Sequence, residues 1–297
     1  MNKKNAVILC SKNKTFSQKA LIQSLATKRF KITIIDPKNF ALEIPMKSTP
    51  PDYLFHRSLG PFFDDFDLRV SEYFSSLGSK IINPIATIKI LRNKAEQALF
   101  FNSHHLPIIP TYFLRGKFNH NHFSNWCDDN KFSSSSFVLK TERGHGGIGT
   151  FKVNGLDSLS SLWETINALR DERFIIQPYL SKISEFRLFI IRGDIFICAK
   201  KGEAHIELKD FRQNANRILK NNKWKKISPP KIPQEIVKLA TAIAGKCPAH
   251  YLGVDLFWDK KSGVRLIECN ASASFQELQK LTLSSISDQI INTLDDA

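Results

Sequence analysis

Gly144-His145-Gly146-Gly147-Ile148-Gly149 is the stretch that most restricts how this chain can fold. It fits the G-x-G-x-x-G pattern of a dinucleotide-binding turn. That turn must open directly into a helix whose N-terminus meets the pyrophosphate. Here Thr150-Phe151-Lys152-Val153 follows, alternating, β-branched and aromatic, and Asn154-Gly155 stops it. That pattern predicts a strand. No Gly-Lys-Ser/Thr follows the loop, which removes the Walker loop as well. Val138-Leu139-Lys140 before the loop reads as a second strand, carrying a lysine. A glycine loop between two strands is a flap that can lie over phosphates and offer backbone N–H groups at close range. A protein kinase would add catalytic-loop and metal-binding signatures downstream. His56-Arg57-Ser58 lies upstream and lacks the Asp, and Lys209-Asp210-Phe211 lacks the Gly. Taken alone, the loop also fits a plain glycine-rich hairpin.

A second segment supplies the opposite charge. Gly253-Val254-Asp255-Leu256-Phe257-Trp258, a turn over Asp259-Lys260-Lys261-Ser262-Gly263, and Val264-Arg265-Leu266-Ile267-Glu268-Cys269-Asn270 read as a β-hairpin. Glu268 and Asn270 are two apart and share a face. Antiparallel pairing across the turn brings Asp255 near Glu268. Two carboxylates and an amide oxygen suit Mg²⁺ or Mn²⁺, with phosphates and water completing the shell. Without a cation, two close carboxylates repel and one takes up a proton. A surface hairpin with incidental acids is the plainer alternative.

Around these segments the pattern is α/β. Asn5–Leu9 and Lys31–Ile35 read as strands flanking a helix over Phe16–Thr27, with Ala20, Leu21, Leu25 and Ala26 on one side. Tyr53–Arg57 and Lys80–Asn83 read as further strands and Asp67–Leu77 as a helix, closing a first lobe near residue 84. Asn93–Asn102 and Ser158–Leu169 read as helices, and Phe174–Leu180 as a strand leaving at a Pro-marked bend. Phe186–Ile191 and Ile195–Lys200 form a hairpin turned at Arg192-Gly193-Asp194. Pro233–Ala244 is an amphipathic helix ending at Gly245, and Ile286–Leu294 a last helix. Residues 117–136 are polar and irregular and read partly as helix and partly as loop on the surface, with His120 and His122 expected to be solvated loop histidines. Asn222-Lys223-Trp224-Lys225-Lys226 mixes a Trp with lysines, as nucleic-acid patches do, but is short and isolated. A solvated loop is the expectation. Three lobes are expected: 1–84, 85–178 with the flap, and 179–297 with the hairpin.

Bulk properties narrow the class. The chain has 297 residues and a formal net charge of +15, which favours anionic partners without choosing among them. The lysines are scattered, so no dedicated nucleic-acid arm is expected. No apolar run approaches the ~20 residues of a membrane helix. The run Ala6–Cys10 is too short for a signal peptide. The five cysteines, Cys10, Cys127, Cys198, Cys247 and Cys269, show no C-x-x-C spacing. Reduced thiols and a cytoplasmic location are the expectation.

The ordered motifs resemble the ATP-grasp superfamily, and within it the RimK-type carboxylate–amine ligases related to glutathione synthetases. The resemblance runs from about Arg57 to the C-terminal helix. Ile82-Asn83 through Arg92-Asn93-Lys94 is similar to the stretch before the first ATP-binding lysine, which falls on Lys94. Leu106-Pro107 to Pro110-Thr111 is similar to the segment that follows. Lys140 falls on the second ATP lysine, ahead of the flap glycines Gly144, Gly146 and Gly147. Gln177-Pro178-Tyr179-Leu180 falls on the hinge that holds adenine, and Glu185 and Arg187 on Asp-x-Arg. Asp210-Phe211-Arg212-Gln213-Asn214-Ala215-Asn216-Arg217 resembles an element beside the phosphates. Asp255, Glu268 and Asn270 fall on the metal ligands. The chain departs after Asn270, reading Ala271-Ser272-Ala273-Ser274 where the family has x-Ser-Pro-Gly. It departs again at Ile218-Leu219-Lys220, at Pro178 and at Glu185.

The resemblance implies an ATP-grasp fold with a Rossmann-like first lobe. It implies ATP-driven amide formation through an acyl phosphate, with two Mg²⁺ or Mn²⁺ ions. Lys94 and Lys140 would neutralise phosphates, Arg212 and Arg187 would stabilise the transferred phosphoryl group, and Asn214 would orient phosphate or metal. The partners implied are a carboxylate and an amine, such as an acidic amino acid or peptide, with no membrane and room for a homo-oligomer. A nucleotide-binding module without turnover and a basic RNA- or ribosome-associated protein are the competing classes.

Overall fold

The computed structural model describes residues 3–294 except 13, 46–48, 59–63, 133–134, 145–146, 148, 170–172, 181–183, 202–223 and 261–262. Three sheets organise it. In the first, β1 (Asn5–Leu9), β2 (Lys31–Ile35), β3 (Tyr53–His56) and β4 (Lys80–Ile82) run parallel in the order β2-β1-β3-β4. α1 (Phe16–Thr27) and α2 (Phe66–Ser76) make the crossovers. Thr15 caps α1 reciprocally with Gln18, so the helix starts where the sequence offers a Thr-x-x-Gln box. Its buried stripe differs from the expected one. Leu21 and Leu25 are buried, but Ser17, Gln18 and Ser24 complete the face while Ala26 stays exposed. These polar residues are buried because they are bonded: Gln18 Nε2 donates to Arg57 O at 2.8 Å and Ser24 Oγ to Ser287 Oγ at 2.8 Å.

α3 (Ile85–Leu91) and α4 (Lys94–Ser103) lead to the second sheet. There β5 (Tyr112–Phe113), β6 (Ser136–Thr141), β7 (Thr150–Asn154) and β8 (Phe174–Pro178) are antiparallel in the order β5-β8-β6-β7. α5 (His120–Asp129) and α6 (Leu156–Leu169) cover one side, with Phe123, Phe137, Leu139 and Trp163 in the core between. His120 and His122 are therefore not loop histidines. They open α5, where His122 Nδ1 meets Tyr112 Oη at 2.6 Å and His120 Nε2 meets Ser160 Oγ at 3.1 Å.

The third sheet is antiparallel, in the order β11-β10-β9-β12-β13. Its strands are β9 (Ser184–Ile191), β10 (Asp194–Lys201), β11 (Trp224–Ile227), β12 (Tyr251–Asp259) and β13 (Gly263–Asn270). Trp224–Lys226 is thus strand, not loop, because it completes the edge of this sheet against Lys201–Ala199. α7 (Gln234–Lys246) packs Ile236, Leu239 and Ile243 on the far face; it runs through Gly245 rather than ending there. α8 (Gln276–Gln279) and α9 (Ile286–Asn292) return to the first sheet, where α9 packs on α1. All five cysteines are free thiols. Among the described residues no helix is long and apolar enough to cross a membrane.

One face of the third sheet changes character along its length. On β9, Phe189 and Ile191 lie in the apolar cluster shared with β1 and β3, while Arg187 and Glu185, further toward the start of the same strand, are charged. Each buried aromatic or aliphatic side chain there contributes roughly 2 kcal/mol. That half fastens the sheet to the first lobe and leaves the charged half to face the cleft. Asn83 makes the junction specific. Its Nδ2 donates to Tyr251 O and Ala271 O, each at 2.7 Å, and its Oδ1 accepts from His250 N at 2.8 Å and Tyr251 N at 3.1 Å.

Candidate active site

The register of β12 and β13 sets Asp255 opposite Glu268, as the hairpin pattern predicts, and β9 sets Arg187 opposite Asp255 on the other side. Arg187 forks onto the Asp255 carboxylate, Nε to Oδ1 at 2.6 Å and Nη2 to Oδ2 at 2.8 Å. Burial pushes the Asp255 carboxyl up, Arg187 draws it back, and Glu268 and Glu185 add to the rise. Burial also weighs against the Arg187 charge, but the Asp255 carboxylate outweighs it and holds the guanidinium protonated. Glu185, two residues before Arg187 on β9, takes Lys201 Nζ at 2.6 Å. Asn270 Nδ2 donates to Glu268 Oε1 at 3.0 Å, which leaves the Asn270 amide oxygen as a spare donor atom. Cys269 between them is buried in the core on the opposite face.

Lys94 is the first residue of α4. Asn93 Oδ1 caps that helix, accepting from Ala95 N at 2.8 Å and Glu96 N at 3.2 Å. Lys94 N donates to Glu142 O at 2.8 Å, which fixes the helix start to the strand that enters the glycine loop. Lys94 Nζ reaches Gly144 O at 3.1 Å. Lys140 Nζ reaches Gln177 Oε1 at 3.0 Å, and Gln177 Nε2 donates to Thr111 Oγ1 at 2.9 Å. Burial pushes both ammonium groups down, and in both cases the Glu268 charge pushes back. Glu268 is therefore within electrostatic reach of both lysines. Lys94, Lys140 and Gln177 line one pocket with Phe101, Ile109, Ile175 and Leu266, beside the strand that carries Glu268.

Second-layer contacts hold these parts. Gln97, on α4, bridges Leu91 O at 2.9 Å and Cys269 N at 2.8 Å, tying the Lys94 helix to the Glu268 strand. The 107–109 segment runs along β13, with Leu266 N donating to Pro107 O at 2.8 Å and Ile109 N to Leu266 O at 3.3 Å. Buried Glu142 accepts from Arg115 Nη2 at 2.9 Å. Sequence reasoning missed Gln97, Thr111 and Glu142. Pro178 ends β8, and the Tyr179 amide is already bonded to Ser136 O at 2.9 Å. The Tyr179 ring lies 3.9 Å under Lys152 Nζ of the flap strand. Gly146, Arg212, Asn214, Arg217 and Lys220 lie outside the described residues.

The model of the RimK-like ATP-grasp domain matches residues 108–294, well over half of the sequence. The chain belongs to the RimK-like ATP-grasp family. It is similar to a tetrahydromethanopterin:alpha-L-glutamate ligase of Methanocaldococcus jannaschii, 24% identical over 92% of each chain. It is also similar to a probable alpha-L-glutamate ligase of Mannheimia succiniciproducens, 24% identical over 97% of each chain. Among solved structures, the ATP-grasp ligase PsnB complexed with minimal precursor superposes with a TM-score of 0.71 at 14% identity, over 99% of each chain, which shows a common fold. This RimK-like protein is an ATP-dependent carboxylate–amine ligase, and its fold implies the use of ATP with a divalent metal ion.

The residues present fit such an ion. Asp255, Glu268 and Asn270 converge on one face of two paired strands and offer only hard oxygen donors. Asp255 is buried, and its forked contact with Arg187 shows a carboxylate placed where positive charge is required. Among the described residues no third acid, His or Cys joins them, so phosphate oxygens are the natural completion of the shell.

Proposed function

We propose that this RimK-like ligase adds an acidic amino acid, with glutamate as the first candidate, to a carboxylate-bearing acceptor. The observation that supports the site assignment is that Lys94 and Lys140 line one pocket, that the Glu268 charge acts on both, and that Lys94 Nζ reaches Gly144 O of the glycine loop. The two similar glutamate ligases support the choice of amino acid, and the net charge of +15 suits an acidic substrate.

In this reading the adenine lies along Gln177-Pro178-Tyr179-Leu180, and Lys94 and Lys140 neutralise the phosphates. Gly144, Gly146 and Gly147 cover them and exclude water, which would otherwise hydrolyse the activated acyl group. An acceptor carboxylate oxygen bonds to the terminal phosphorus as the bond to ADP breaks. Arg187 and Arg212 stabilise the charge that builds on the transferred group, and Asn214 and Glu185 orient its surroundings. The amine nitrogen then bonds to the acyl carbon, phosphate leaves, and the amine gives up a proton. Asp255, Glu268 and Asn270 would hold two divalent ions, which would supply neutralisation of the phosphate charge. The lobes are 1–84, 85–178 and 179–297, with the site between the second and third.

A screen of phosphate release with Mg²⁺ and ATP, across amino acids and small acidic acceptors, tests this, with products read by mass spectrometry. The expected result is ADP formation that requires both an amine and a carboxylate, with a product heavier by one amino-acid residue. Nucleotide binding with no acceptor-dependent turnover would support the module reading. Tight nucleic-acid binding that survives physiological salt would support the ribosome-associated one.

A further inference from the structure

Trp224 is not among the residues the reaction above uses; it packs against the apolar cluster of the third sheet and reaches the charged half of the same face. It opens β11 and pairs with Lys201 across the strand edge. Lys201 is ion-paired with Glu185 at 2.6 Å, so Trp224, Lys201, Glu185 and Arg187 share one face. The Arg187 guanidinium carbon lies 5.0 Å from the Trp224 ring centroid, and Lys201 Nζ lies 5.7 Å from it. Both fall within the range in which a cation is held by an aromatic ring, and indole is the strongest such partner.

Arg187 therefore has two supports: the forked carboxylate of Asp255 and the indole beside it. The Asp255 oxygens that hold Arg187 are those a divalent ion needs. A metal on Asp255 would draw on the same carboxylate oxygens, so the fork would hold Arg187, a half-buried cation on a long side chain, less firmly. The ring is the support that does not depend on Asp255. We propose that Trp224 is a positioning residue, holding the Arg187 guanidinium on the active face while Asp255 turns to the metal. The inference rests on the ligase reading above.

Intrinsic fluorescence and kinetics test it together. Trp224→Phe keeps an aromatic face, whereas Trp224→Leu removes it. Trp224→Leu is expected to lower kcat about 10-fold with the KM for ATP within about 2-fold, equivalent to about 1.4 kcal/mol and within the cation–π range. Trp224→Phe should recover most of that loss. In an Arg187→Lys background the Leu substitution should cost little more, because the two residues act as a unit. Independent multiplication of the two losses would overturn the proposal. The emission arm needs no acceptor. Adding Mg²⁺ and ATP should change the tryptophan emission of the wild-type chain, and the change should vanish in Trp224→Phe. Emission that responds equally in both overturns the proposal even if turnover is measured. Absence of turnover in the wild type with every acceptor counts against the ligase reading alone.

Discussion

Asp255, Glu268 and Asn270 stand on paired strands whose other face is core, and side chains from three separate stretches grip the hairpin. Gln97 takes the Cys269 amide, Asn83 takes backbone at the start of β12 and just past the end of β13, and Arg57 Nη1 donates to Ala273 O at 3.1 Å just beyond Asn270. Gly144, Gly147 and Gly149 stand in a loop with φ of 139°, 78° and 71° and little side chain to hold. The described ties of that loop include Thr141 N to Gly149 O, Thr150 N to Gly147 O at 3.2 Å, Lys94 Nζ to Gly144 O, and Arg143 forked onto Asp65 at 3.2 Å. The acid hairpin is a fixed template, and the glycine loop is tethered at its rim. The difference suits a site that must keep its acids in register yet admit a large polyphosphate.

The comparison breaks first at Asn83. Asn83→Ala strips four hydrogen bonds from a fully buried junction and leaves backbone groups without partners. It should lower stability by about 3 kcal/mol, measured by denaturant unfolding, and no variant of the glycine loop should approach that. Gly253→Ala tests the same template by volume, because an added Cβ would overlap Ala273 Cβ. Overpacking there should cost about 2 kcal/mol and lower turnover, since it pushes the 271–275 segment off the hairpin.

A middle-sized effect concerns the anchor at the rim. Asp67 is buried and bonded to His56 at 3.1 Å and to Arg92 at 3.2 Å, and Arg92 also lies 3.6 Å from Asp65. Burial alone would raise the Asp67 carboxyl, but the hydrogen bonds and charge of His56 and Arg92 outweigh it and hold it at about 2. Its folded value lies below its ordinary value of 3.8, so its stabilisation is complete above 3.8 and is lost as pH falls toward about 2. Acid unfolding should show that loss, and Asp67→Asn should be less stable at neutral pH with a flatter acid limb. The smallest effect belongs to the loop. Gly149→Ala meets Thr141 Cγ2 at 2.5 Å with φ at +71°, but the obstacle is a side chain that can rotate. About 1 kcal/mol of stability and a few-fold higher KM for ATP are expected. A stability loss equal to that of Gly253→Ala would erase the distinction between template and tether.

Strand alternation made the acids legible. A period of two places Glu268 and Asn270 on one face, and the turn brings Asp255 near them, but its pairing with Glu268 itself comes from a bulge that skips Ile267, which the local pattern does not mark. The flap strands were legible by the same alternation. Gln97 and Asn83 were not, because their partners lie 172 and about 168 residues away and nothing local marks a polar side chain for burial. Arg187 shows a further limit. Its strand position was readable, but its choice of Asp255 over Glu185 depends on which neighbour faces it across β12. The helix over 234–246 likewise runs through Gly245, since the packing of Ile243 holds the last turn against β12 and β13.

The central claim is that the lysine half and the acid half form one ATP–metal cleft. ADP formation, with Mg²⁺, ATP and an amine–carboxylate pair, measured for Lys140→Met and Glu268→Gln beside the wild type, tests it most directly. Each substitution should lower turnover by about 10²-fold or more while the fold stays intact by circular dichroism, because each removes preorganised charge from the same transition state. Turnover unchanged in either variant would contradict the account.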